Sequence, residues 1–80
     1  MNDEDKQLLK QVTLLGILKK KPEETPDEVM RMLVDTGMYT LEEAKGIFET
    51  LKNEKYLEGD TLTPKGITAA KEAEAMFKQG

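Results

Sequence analysis

Residues 25–66, TPDEVMRMLVDTGMYTLEEAKGIFETLKNEKYLEGDTLTPKG, decide the fold. Thr25-Pro26-Asp27-Glu28 is a capping box with proline at the first helical position, where its missing N–H costs nothing. Val29, Met30, Leu33 and Val34 then give a helical core stripe through about Thr36, and Gly37 stands where a left-handed C-terminal cap is needed. Only Met38 and Tyr39 intervene before Thr40-Leu41-Glu42-Glu43, a second capping box. The helix it opens carries Leu41, Ala44, Ile47, Phe48 and Leu51 on one continuous face, to about Asn53. Two capped helices joined by a short turn containing glycine form the helix-turn-helix pattern. Tyr56 to Glu58, the pair Gly59-Asp60, and Thr61 to Thr63 then read as a minimal hairpin with a type II′ turn. In that register Glu58 faces Thr61, Leu57 faces Leu62 and Tyr56 faces Thr63, and only the leucine pair looks into the core. Thr63-Pro64 is a third cap.

Working outward, Lys6 to Lys21 is expected to be a helix. Leu8, Val12 and Leu15 recur at spacings of four and three, with Leu14, Ile17 and Leu18 widening the apolar face. Gly16 inside it costs up to about 1 kcal/mol relative to alanine, which implies a close helix neighbour or a bend. The acidic start Asn2-Asp3-Glu4-Asp5 precedes this helix, and Pro22 follows its end. On the other side of the hairpin, Ile67, Ala70, Ala73 and Phe77, with Ala69 and Met76 beside them, define a last helix to about Lys78. The expected order is α-α-α-β-β-α in a mainly α chain, a single domain over residues 1–80, with no repeat and no linker.

Composition narrows the function. The 80 residues include no cysteine, no histidine and no tryptophan, and no serine is found along the chain. Disulfides, thiolate metal sites, imidazole ligands and the usual hydrolytic nucleophiles are therefore excluded, and no metal or cofactor is expected. Glu42 and Glu43 are adjacent and point about 100° apart on a helix, and Glu43 is accounted for by its cap, so neither reads as catalytic. No segment has the spacing of a calcium loop or of a phosphate loop. The chain is expected not to be an enzyme. Leu14 to Leu18 is too short an apolar stretch to cross a bilayer, and the acidic start is unlike a signal peptide, so a cytoplasmic location and no membrane partner are expected. The formal net charge is −4. It is spread evenly, with no basic arm for nucleic acid.

Leu51 near a helix end, Tyr56-Leu57 opening a hairpin and Leu62-Thr63-Pro64-Lys65-Gly66 closing it together resemble small winged-helix proteins, especially the MarR-like and PadR-like bacterial regulators, whose wing returns into a Leu-Thr-x-x-Gly stretch. The resemblance spans Thr25 to Phe77. It implies a winged helix-turn-helix fold, a homodimer formed through the terminal helices, and a transcription regulator that places Leu41 to Asn53 in the major groove of double-stranded DNA. The wing tip, Glu58 to Thr61, departs from the pattern, because acids stand where such wings carry arginine or lysine.

The residues themselves give this reading a narrow footing. At 100° per residue the side of the third helix opposite its apolar face is led by Glu42, Gly46, Glu49 and Asn53. Glutamates lowered between two phosphate rails add repulsion. Lys45 and Lys52, seven apart, lie along the flank, with Lys55 and Lys65 near them, and the expected DNA contacts are Lys45, Lys52, Asn53 and Lys55. Two alternatives stand beside this. The lysines are also explained as solvated ends of stems that cover apolar surface, and the acidic third helix and wing suit a protein–protein interaction module that binds no DNA. Lys19 to Lys21 complement a helix dipole without any ligand.

Overall fold

The structure, a computed structural model, describes the backbone of residues 3–79 and the side chains of residues 5–78. Its elements are α1 (Asp3–Lys19), α2 (Pro26–Asp35), α3 (Leu41–Asn53), β1 (Leu57–Glu58), β2 (Thr61–Leu62) and α4 (Pro64–Gln79). The chain is thus mainly helical, with one two-stranded antiparallel sheet. No described helix is long and apolar enough to cross a membrane.

The capping signals account for most of the boundaries. The Thr40 hydroxyl accepts from the Glu43 amide at 3.2 Å, and Glu43 Oε1 accepts from the Thr40 amide at 2.9 Å, so this capping box is complete. At Thr25 only half of the expected box forms. Its hydroxyl accepts from the Glu28 amide at 3.2 Å, but the Glu28 carboxylate makes no return bond among the described residues. Thr63 caps α4 by accepting from the Gly66 amide at 3.0 Å. The Thr40 amide, and then the Thr40 hydroxyl contact, hold the Glu43 carboxyl below the usual carboxylate range. A carboxyl depressed by folding adds stability above its ordinary pKa and loses it as pH falls through the lowered value. A Glu43→Gln variant should therefore show a shallower fall in melting temperature than the parent on acidification below about pH 4.

α2 and α3 end in the same way. Met38 N–H donates to Leu33 O at 3.1 Å and Gly37 N–H to Val34 O at 3.0 Å, around Gly37 at φ 83°. Tyr56 N–H donates to Leu51 O at 2.9 Å and Lys55 N–H to Lys52 O at 3.1 Å, around Lys55 at φ 66°. These paired bonds satisfy carbonyls that a helix end leaves open, and both need a left-handed residue. Glycine fills the first position and a lysine the second. Because a Cβ in that region costs roughly 1 kcal/mol or more, Lys55→Gly is expected to raise stability by about 1 kcal/mol in urea unfolding.

The hairpin pairs Leu57 with Leu62 and Glu58 with Thr61. Gly59 has φ 60°, and Lys55 is the only described non-glycine residue with positive φ, so the turn has the glycine-first geometry of type II′. The ladder stops short of the third expected pair, although Thr63 N–H still donates to Tyr56 O at 3.1 Å.

Several expectations about α1, α4 and the core change. α1 begins a turn before Lys6 and ends at Lys19; Lys21 precedes Pro22, which disfavours helical backbone there. Met1 and Asn2 and the side chains of Asp3 and Glu4 in the acidic start lie outside the described residues. The innermost residues of α1 are Thr13, Leu14 and Ile17, while Leu8 is 45% exposed, so the Leu8-Val12-Leu15 stripe is not the centre of its buried face. The reason is that α1 touches all three other helices and buries more than one side. Gly16 serves this packing: a Cβ there would lie 3.0 Å from Val29 Cγ1. In α4, Ala70 and Ala73 are buried, but Ile67, Met76 and Phe77 are exposed, so the buried side of the helix is centred on the two alanines. Of the methionines, Met30 is buried, whereas Met32 and Met76 are exposed.

Candidate nucleic-acid interface

α3 buries Ala44, Ile47, Phe48 and Leu51. Its opposite side therefore presents Glu42, Lys45, Gly46, Glu49, Lys52 and Asn53 to solvent. The helical period thus places Lys45, Lys52 and Asn53 on one outward surface, and Lys55 follows at the helix end. Among the described residues Lys45, Lys52 and Lys55 make no salt bridge. The ion pairs lie elsewhere: Lys10 with Glu54 at 2.6 Å, Arg31 with Asp27 at 3.1 Å, Lys78 with Glu74 at 4.0 Å, and Lys19 with Glu74. The pairing of Lys19 adds to the dipole account of the Lys19 to Lys21 run. It also holds the Glu74 carboxyl below its usual range, Lys19 being the main cause.

The hairpin divides this surface into two recesses, and Lys52, Leu57 and Gly59 line both. The first, about 320 Å³, lies between α2, α3 and the hairpin tip. Met30, Phe48 and Leu57 form its apolar part, and Asp27, Glu49 and Asp60 line it together with Lys45 and Lys52. Acids outnumber bases there. The second, about 470 Å³, lies between the end of α3, the hairpin and the start of α4, lined by Lys52, Lys55 and Lys65, with Glu58 the one acid. The expected contacts thus run from the first half of α3 to just past its end and are split across the hairpin: Lys45 falls with the acids, Lys55 with the lysines, and Lys52 between them.

Lys65 matters more than its place in the sequence suggests. Its Nζ donates to the Glu54 carbonyl at 2.8 Å and stands 4.6 Å from the centre of the Tyr56 ring. It therefore neutralises the negative end of α3, where a cation is favoured, and stacks on an aromatic face. Both contacts exist only once the hairpin has brought the first turn of α4 beside the end of α3, so the spacing of residues 54, 56 and 65 carries no local signal of them.

Sequence reasoning missed a second pair altogether. The hydroxyls of Thr13 and Tyr39 are 2.9 Å apart, and Thr13 also donates to Leu9 O at 2.8 Å. Thr13 is fully buried and Tyr39 nearly so. Burial pushes the Tyr39 phenol up, against a smaller lowering by Thr13. This pair joins α1 to the turn before α3 and so orients the helix that bears the lysines. Its signal was a tyrosine standing in the short turn between two capped helices.

No protein-family model, curated protein or solved structure matches the chain.

Proposed function

We propose that the chain is a small non-enzymatic binding protein of winged-helix type that contacts double-stranded DNA through the end of α3. The element order α-α-α-β-β-α, with a hairpin between the third and fourth helices, supports the fold reading, the hairpin serving as the wing. The observation that carries the DNA reading is the set of exposed lysines along and after α3, Lys45, Lys52 and Lys55, free of salt bridges among the described residues. Cations left without carboxylate partners are available to replace counterions along a phosphate backbone. A homodimer joined through α1 and α4, acting as a cytoplasmic transcription regulator, completes the proposal. Exposed Leu8, Met76 and Phe77 on those helices are consistent with such a seam.

The test is an amide chemical-shift map recorded while a short duplex is titrated in at low salt. Shifts should concentrate at Lys45, Lys52, Asn53 and Lys55. A spectrum unchanged by the duplex would sink the reading.

One observation favours a second reading, a protein-interaction module. The recess between α2, α3 and the wing tip combines Met30, Phe48 and Leu57 with the acids Asp27, Glu49 and Asp60, which suits a basic segment with an apolar anchor.

A further inference from the structure

We propose that the recess at the foot of the hairpin is a phosphate site: it takes a backbone phosphate of duplex DNA between Lys52, Lys55 and Lys65, so that the chain grips DNA by its backbone and reads little of its sequence. The inference rests on the DNA reading above and adds both the site and the mode.

Charge selects this recess over its neighbour. Three lysines line it against Glu58 alone. The nearby carboxylate of Glu54 does not cancel them, because Lys10 Nζ binds it at 2.6 Å. On the other side of the hairpin Lys45 and Lys52 share their recess with Asp27, Glu49 and Asp60, and an approaching phosphate meets at least as much repulsion as attraction.

Rigidity points the same way. The Thr63 hydroxyl donates to Lys55 O at 2.6 Å and the Thr63 amide to Tyr56 O at 3.1 Å. The segment carrying Lys55 is therefore stapled to the first turn of α4, which carries Lys65. The Lys65 ammonium is held by the Glu54 carbonyl and the Tyr56 ring. Of its three donors, that carbonyl takes one, and the others remain for an anion. Lys55 occupies a left-handed position that glycine would fill with less strain. There its side chain leaves the helix axis and lines the recess.

Sequence indifference follows from the rest of α3. A helix lying in the major groove brings its outward residues to the base edges between two rows of phosphates. Here those residues include Glu42 and Glu49, both exposed, so deep entry is opposed. Contact through the helix end and the foot of the hairpin keeps both glutamates out of the groove.

The test compares two duplexes of equal length and unrelated sequence, each titrated across salt. The wild-type protein should bind them within about fivefold of each other, since a base-reading protein loses roughly fivefold or more for each wrong pair. Lys55→Gln with Lys65→Gln should flatten the log–log salt slope by about two units, and Lys55→Arg with Lys65→Arg should restore it. As a check independent of the lysines' structural role, Glu58→Gln in the otherwise unchanged chain should tighten binding to both duplexes. A preference above fivefold, a double glutamine variant with the parent slope, or no gain from Glu58→Gln overturns the site while leaving DNA binding in place. Absence of binding to either duplex by the wild-type chain overturns the DNA reading itself.

Discussion

Gly66→Ala is expected to cost about 3 kcal/mol or more, a large share of the stability of so small a chain. A Cβ on residue 66 would lie 1.9 Å from Tyr56 O and 2.9 Å from the carbon of that carbonyl, with Leu62 Cδ2 at 3.2 Å. The first two are backbone atoms, so no rotamer change relieves the clash; α4 or the hairpin must move. Moving either would break the Thr63 amide bond to Tyr56 O and the burial of Leu62, which hold the hairpin to the helices. Gly46 is the control. It lies in α3, where an added Cβ would meet nothing within 4 Å, and Gly46→Ala should be neutral or stabilising by up to about 1 kcal/mol. Urea unfolding followed by circular dichroism measures both. A Gly66→Ala variant as stable as the parent would mean that the hairpin does not sit against α4 as described.

The second large effect is expected at Leu51. Its side chain is 0% exposed, and its carbonyl accepts the Tyr56 amide that ends α3. Leu51→Ala should cost about 2–5 kcal/mol, through lost transfer energy and the cavity left behind. An 80-residue chain has a total stability on the order of 4–12 kcal/mol, so this one truncation removes a large share of it. Leu41 opens the same helix but is 46% exposed, and Leu41→Ala should cost less than about 1 kcal/mol. Equal losses at the two positions would contradict the assignment of the buried face of α3.

Helix starts were the most legible part of this fold, because a threonine cap is a local device: Thr25, Thr40 and Thr63 each act within three residues. Gly37 and Gly59 were legible for a similar reason, since each turn demands positive φ at one position. Local pattern failed where packing is long-range. α1 is surrounded, so its apolar residues form no single stripe, and a buried Thr13 inside an apolar run finds its partner, Tyr39, 26 positions away. The Leu-Thr-x-x-Gly stretch was readable as a motif but not as a mechanism. In the structure its threonine is a cap and its glycine makes room for the Tyr56 carbonyl. Both roles are structural, and neither depends on DNA. At the interface the residues of α3 were placed correctly on one outward face by helical period alone. That the hairpin would separate Lys45 from Lys55, and give Lys65 a fixed seat beside Tyr56, depends on the return of α4 and lay beyond any periodicity.

The most direct test of the lysine edge is the affinity for a short duplex measured by fluorescence anisotropy across a range of salt, for the parent and for Lys52→Gln with Lys55→Gln, both of which line the lysine-rich recess. Each phosphate neutralised contributes about 0.9 to the log–log slope. The parent should weaken steeply as salt rises, and the double variant should show a slope flatter by about two units. A parent that binds no duplex at low salt, or a double variant with an unchanged slope, would contradict the account.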